Sequence, residues 1–481
     1  MNLKKDNLKF ILWCFFITFI GFLLRYHLFE EKNSWHDEWH SIYVSDPNIS
    51  LYETLKRYWG DKGDTFLTEF YPPLYLIILK YYFSIFGYID DYGRFLSLIF
   101  GTLTIPLSII LSRKIGIKKE QIYIPSILVT FNLFLIWQSL EIRAHSILVF
   151  FSLLNILLFY ELLNKNNRLI KIFYIMCSIF TLSLWPISGT IFFGKSIYLI
   201  KDFFLKKSKN LEFFIIFFII LIFYIIINYD YLLFQLDRDE HYTKLVKTFF
   251  LGFHFRSFFG SIFIGAIFLI TFAFILIKNI KQLMVRNDEI NILIYIVLSS
   301  YFLTLTYSLL RAPIMSPKYV IFLVPLIIIW ISFYIDGIFH KYLIYIVLIV
   351  FIIISILNIQ NYPIKRPPSK EMLNFIVKSN IKNIVTNEKD VFNNYLKTKK
   401  ISIVEELNFH NISYSFPKDI RKFWFVCLNF PRFAYGETYL LSKNSKPQEK
   451  CTNFNPSKYG FKEILPPITN IEDFYLRRFE K

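Results

Sequence analysis

Apolar runs of about twenty residues recur along this chain, at roughly 10–29, 93–112, 122–139, 144–163, 171–187, 188–204, 212–228, 257–277, 290–309, 317–335 and 341–359. A helix rises about 1.5 Å per residue and a hydrocarbon core is about 30 Å thick, so each run predicts a membrane-spanning helix, about eleven in all. The segment 72–87 is also apolar and forces a choice. If it spanned, Arg113, Lys114, Lys118 and Lys119 would face outward. Laid along the interface as an amphipathic helix, it leaves every basic cluster on one side. That side then holds Lys4, Lys5 and Lys9, the Arg113–Lys119 group, and Lys165, Arg168 and Lys171. It also holds Lys201, Lys206, Lys207 and Lys209, then Lys278, Lys281 and Arg286, and Lys341. The predicted protein is multi-pass in the plasma (inner) membrane, with a cytoplasmic N-terminus and an extracytoplasmic tail. Its first run follows three lysines and lacks a small-residue cleavage site, so it reads as an uncleaved first span.

Three outer elements follow from this topology. Residues 30–92 form a first loop rich in Trp, Tyr and acids, and residues 229–256 a second one containing Asp237-Arg238-Asp239-Glu240. The tail is large enough for a domain of its own. Helical periodicity over 370–378 and strand-like runs at 383–386 and 423–429 predict a small α/β fold there. The fold class is thus an α-helical polytopic membrane domain, 1–360, followed by a soluble α/β domain, 361–481.

Composition changes the picture in few places. With 481 residues, 55% of them hydrophobic, and 56 Phe against 15 Gly, the chain needs a bilayer as solvent. The net charge of +18 would suggest nucleic acid in a soluble protein. Here the basic residues punctuate apolar runs and form no groove motif, so they serve as topology signals. Cys14 and Cys177 fall in spans as packing residues, whereas Cys427 and Cys451 can pair if the tail meets an oxidising compartment. No Cys/His spacing resembles a zinc site.

Chemistry concentrates at the outer face. Trp35-His36-Asp37-Glu38-Trp39 places two carboxylates between indoles just beyond the first span, where partial desolvation favours a general base. The competing reading is a solvated loop anchored by its tryptophans in the aromatic belt. Glu141-Ile142-Arg143-Ala144-His145 sets a cation at the junction of two spans with almost no loop between them. A charge so close to hydrocarbon points to a site, and a guanidinium suits a lipid phosphate; a structural pair with Glu141 is the alternative. Arg311-Ala312-Pro313 and Ser316-Pro317-Lys318-Tyr319 add two cations on the same face; snorkelling accounts for either one, but the positive-inside rule disfavours them there, which points toward an anionic ligand. Arg94 reads as structural beside Asp90 and Asp91, Lys195 as a snorkelling lysine, and Glu69 as a helix cap or a ligand for a substrate hydroxyl. Carboxylates facing cations suit transfer of a group from a membrane-held phosphate to a hydroxyl.

The order Asp37-Glu38, Pro72-Pro73-Leu74-Tyr75, Glu141-Ile142-Arg143, Pro317-Lys318-Tyr319 resembles the polyprenyl-phosphate-sugar-dependent glycosyltransferases of the GT-C fold. Their dolichyl-phosphate-mannose–protein mannosyltransferase-like and aminoarabinose (lipid A) transferase-like branch is the most similar. The resemblance covers roughly residues 1–360. It implies a catalytic aspartate at Asp37 with Glu38 beside it, a juxtamembrane helix after the two prolines, and donor-phosphate binding by Arg143 and Lys318, with Arg311 as a further candidate. Tyr71 stands where many members have His, and His145 where an aromatic is common. With Glu69, these are candidate substrate contacts, and they leave sugar and acceptor open.

The expected reaction is inverting transfer of a sugar from a polyprenyl phosphate, such as undecaprenyl phosphate, to a hydroxyl of a glycolipid, glycan or protein. Relatives in this branch generally need no metal, so no cofactor is expected, although an acidic loop can bind a divalent cation. Rival readings are a GT-C oligosaccharide polymerase or ligase with a pyrophosphate-linked donor, and a lipid or solute transporter. The last is disfavoured because no internal repeat is evident and the notable charges lie at the outer edge.

Overall fold

Hydropathy alone draws the first helix. Asn2–His27 forms α1, and its window Leu8–His27 has mean hydropathy 1.9. The structure, a computed structural model, describes residues 2–29, 34, 36–59, 71–165, 167–206, 212–237, 253–286, 288–311, 314–335, 339–359, 369–386, 401–406, 416–428, 453–468 and 474–481. After α1 come α2 (His36–Val44), α3 (Leu51–Trp59), α4 (Leu74–Phe86) and α5 (Asp90–Lys114). Next are α6 (Tyr123–Thr130), α7 (Leu133–Gln138), α8 (His145–Asn164), α9 (Arg168–Leu184) and α10 (Gly189–Lys206). The helical part continues with α11 (Glu212–Ile227), α12 (Tyr229–Asp237), α13 (Phe253–Phe259), α14 (Ile262–Val285), α15 (Asn291–Leu310), α16 (Leu323–Tyr334) and α17 (Lys341–Asn358).

Among the described residues, six helices are long and apolar enough to cross a membrane: α1, α5, α8, α14, α15 and α17. This is a membrane protein, and every apolar run expected to span is helical. The run 122–139 is divided, however. Asn132 is buried, accepts a hydrogen bond from Leu135 N (2.9 Å) to cap α7, and donates to Phe258 O (2.8 Å). A side chain that satisfies freed backbone groups lets a helix break inside a bundle. At 13 residues α4 extends about 20 Å, less than the thickness of the hydrocarbon core.

The chain forms two compact units, one of 1–30, 58–78 and 94–363, the other of 31–57, 79–93 and 364–481. In the first, polar contacts gather the basic helix ends. Lys114 pairs with Glu161 (2.7 Å), Lys171 with Glu212 (2.8 Å), and Lys201 donates to Arg286 O (2.8 Å). Tyr160 Oη donates to Glu289 O, joining α8 to the turn before α15. Three of the basic residues at helix ends, Lys114, Lys171 and Lys201, are thus tied to neighbouring segments. Between α10 and α15 the backbones touch: a Cβ at Gly194 would lie 2.5 Å from Ile296 Cα, so only glycine fits.

The second unit is built on a five-stranded sheet behind α18 (Ser369–Lys378). Its strands are β1 (Asn383–Thr386), β2 (Ser402–Glu406), β3 (Lys422–Leu428), β4 (Lys462–Ile468) and β5 (Phe474–Glu480), in the order β2-β1-β3-β5-β4. β1 runs parallel to β2 and β3, whereas β5 is antiparallel to β3 and β4. The period of two along β3 feeds two cores. Phe423, Phe425 and Cys427 face one with Phe454, Phe461 and Phe479. Trp424 and Val426 face the other, with Met372, Leu373 and Ile376 of α18 and Trp39 of α2. Cys427 is disulfide-bonded, while Cys14 and Cys177 are free thiols; Cys451 lies outside the described residues.

Candidate functional site

Asp37 and Glu38 occupy the first turn of α2, where unpaired backbone N–H groups favour negative side chains. Asp37 is half-buried and Glu38 is 0% exposed. Ser41 Oγ donates to Asp37 O (3.0 Å), and Tyr88 Oη to Ile42 O (3.0 Å), fixing both turns of the helix. Beyond α2, the Asp46 carboxylate accepts from Asn48 N and Nδ2 (2.9 Å each) and stands 3.8 Å from Arg57. Arg57 also donates to Tyr43 O (2.8 Å) and lies 4.3 Å over the Tyr43 ring. From α4, Lys80 Nζ donates to Asp46 O (2.6 Å) and Ile49 O (2.7 Å). Burial draws the Lys80 amine below its usual range, against the opposing pull of Asp46. The acidic helix and the turn after it therefore rest on a hydrogen-bonded frame supplied by α3, α4 and the turn between α4 and α5. Trp35 and Glu69 lie outside the described residues, as does the side chain of His36.

The cation at the α7–α8 junction is equally well held. Arg143 is 4% exposed, in a tight turn where its N–H donates to Glu141 O (2.8 Å). Arg94 Nε donates to Leu140 O (3.0 Å), a structural contact with the backbone where a pairing with Asp90 or Asp91 was expected, and Ser146 Oγ closes the turn on Gln138 O (3.0 Å). The Arg143 guanidinium stands 5.2 Å over the Tyr71 ring. Tyr71 in turn stacks on Trp185, with centroids 4.9 Å apart and planes at 25°. His145 lies 5.7 Å and Tyr319 5.1 Å from that indole, and Lys318 Nζ is 5.6 Å from the Tyr319 ring. Glu141 approaches His145 at 4.0 Å. Segments 71–73, 141–145 and 317–319, read separately in the sequence, thus converge on one buried indole. Arg311 has a different setting, exposed at the end of α15 with Nη2 donating to Gln235 O (3.3 Å).

Trp185 is the residue that sequence reading missed. Its signal was a tryptophan before Pro186 at the break between two short apolar runs. Lys195 differs from its expected snorkelling: it is fully buried, and its ammonium donates to Asn155 O (3.3 Å), Asn155 Oδ1 and Tyr174 Oη (3.2 Å). Three acceptors satisfy three donors, so it needs no outlet to water. Among the described residues, no group of three or more His, Cys, Asp or Glu side chains is placed to hold a metal.

Chemically, the helix offers carboxylates and the junction offers a guanidinium and an ammonium on aromatic supports. A guanidinium can stack on an aromatic face and bind oxygen ligands bidentately.

No family model and no curated protein matches the chain. Among solved structures, it resembles ArnT from Cupriavidus metallidurans bound to undecaprenyl phosphate, with a TM-score of 0.57 and 8% identity over 97% of this chain and 98% of that one. An Archaeoglobus fulgidus oligosaccharyltransferase, in complex with Zn and sulfate, matches at a TM-score of 0.43 and 12% identity over 79% of this chain and 61% of its own.

Proposed function

From the GT-C fold that the chain shares with ArnT, we propose that the protein is an inverting glycosyltransferase that uses a polyprenyl-phosphate sugar. The observation that carries this reading is the convergence of Tyr71, Arg143, His145 and Lys318-Tyr319 around Trp185, because it gathers the motifs of the resemblance at a buried cation. In the proposed reaction Asp37 takes the proton of the acceptor hydroxyl. The oxygen attacks the anomeric carbon, and the bond from that carbon to the phosphate oxygen breaks with inversion. The released polyprenyl phosphate gains charge, which Arg143 and Lys318 stabilise; Arg311 would add a weaker, exposed cation. Glu38, buried beside the base, holds the helix start, while Glu69, Tyr71 and His145 are candidate contacts for sugar or acceptor.

Proton removal by a placed base typically contributes about 10²–10⁴-fold. Asp37→Asn is therefore expected to lower transfer at least a hundredfold, in proteoliposomes that hold undecaprenyl-phosphate-linked sugars and lipid or peptide acceptors. Full activity of that variant at equal protein level would refute the assignment. Identification of the released carrier as a monophosphate tests the donor class, since a pyrophosphate would point to a polymerase or ligase. The disulfide at Cys427 supports an oxidising, extracytoplasmic setting for the tail and hence a cytoplasmic N-terminus. The plasma membrane, with acceptors on its outer face, is the corresponding proposed location.

A further inference from the structure

We infer that Trp39 makes the C-terminal sheet a positioning element for Asp37, which gives the tail a part in the reaction; this rests on Asp37 being the base. Trp39 lies two residues after Asp37 on α2 and is 1% exposed. Its indole belongs to the core formed by Met372, Leu373 and Ile376 of α18, Ile384 of β1, Trp424 and Val426 of β3, and Leu476 of β5. A nine-residue helix has little stability of its own in water, so its packing decides where its first turn sits. Polar contacts also hold α2 and the turn after it, Tyr88 at Ile42 O and the framing of Asp46. Trp39 is the α2 side chain that joins this core, and the core it joins is that of the tail.

The indole N–H is buried with no acceptor among the described residues. Phe fills most of the same space without a buried donor, so it should serve the contact as well. The contact needs a large flat ring, and its polar edge is incidental.

The experiment uses the full chain in nanodiscs, with undecaprenyl-phosphate-linked sugar as donor, and compares Trp39→Ala, Trp39→Phe and Leu373→Ala. Leu373 belongs to the tail and lies more than 330 residues from Asp37 in sequence. Two readouts are taken: kcat and donor KM, and amide hydrogen exchange of the peptide 36–44. Trp39→Ala and Leu373→Ala are expected to lower kcat at least tenfold with donor KM within twofold, and to speed exchange in 36–44. Trp39→Phe should restore both. The inference is overturned if Leu373→Ala speeds exchange in the tail but leaves 36–44 and kcat as in the wild type. It is equally overturned if kcat and KM fail together in Trp39→Phe. The base assignment fails separately, through an active Asp37→Asn, and the exchange data then still report whether the tail holds α2.

Discussion

Gly101 offers a way to move Arg143 without touching it. It faces Ser139 at the end of α7, and a Cβ built on it would stand 2.2 Å from Ser139 Cβ and 3.3 Å from Ser139 Cα. Carbon atoms in contact sit about 3.5–4.0 Å apart, so Gly101→Ala forces Ser139 back by about 1.5 Å. The chain runs from Ser139 through Leu140, the acceptor of Arg94, to Arg143, and this short turn has no slack to absorb the shift. Moving a guanidinium from about 4.0 to about 5.5 Å from a phosphate, at an effective dielectric of about 20, reduces their attraction from about 4.2 to about 3.0 kcal/mol. That is about sevenfold in affinity, and losing one charge-assisted hydrogen bond of about 1.5 kcal/mol would bring it to roughly 90-fold. Overpacking also costs about 1–3 kcal/mol of stability. Titration of nanodisc-held protein with undecaprenyl phosphate, followed by tryptophan fluorescence, measures the change. The double variant Gly101→Ala/Ser139→Gly removes the clashing atom and should recover most of the loss, giving a clear coupling energy. Wild-type affinity in the single variant, or a double variant no better than the single, would refute the reasoning.

Two further outcomes concern stability. His254, buried on α13 with its ring near Met315 O and outside the spans, has its pKa lowered to about 4 by burial. The unfolded imidazole, at about 6.5, then binds more protons than the folded one between those values, so stability rises with pH across that window. Acidification from pH 7 to 5 should cost about 2 kcal/mol through this group; the melting temperature of His254→Leu in detergent should fall correspondingly less, and an equal fall would remove His254 from the account. Lys80→Met leaves the carbonyls of Asp46 and Ile49 without their buried donor, at about 2–4 kcal/mol for the two. Faster hydrogen exchange over 45–50 is the expected sign, and unchanged exchange would contradict it.

The spans were legible in the sequence because hydrocarbon imposes one period and one length on every helix that crosses it. Where helices end inside the bundle, local partners decide. Nothing in the run 122–139 announces that Asn132 finds Phe258 O, 126 residues away, and breaks the helix there. Asp37, Arg143 and Lys318 were visible because charge beside apolar runs is costly and therefore conspicuous. Trp185 was not, because one more aromatic among so many has no local signature; only folding shows that three distant segments share it. Lys195 misled for a similar reason, since the acceptors Asn155 and Tyr174 lie on neighbouring helices. The tail's helix and two of its strands followed from periodicity, but its hold on Trp39 depends on long-range contact that no window of residues contains.

That hold has a consequence for how the protein is made. Trp39 leaves the ribosome at least 333 residues before Met372, the first of its tail partners. At synthesis rates of about 5–20 residues per second, the acidic helix waits roughly 20–70 s for its support. Throughout that interval an indole meant for a core is available to lipid or to a chaperone. A chain terminated between α17 and α18 keeps Asp37 but lacks the tail core that Trp39 joins. Under the proposed function, completion of synthesis thus acts as a licensing step, and a chain cut short just after α17 should insert into the membrane as an inert protein.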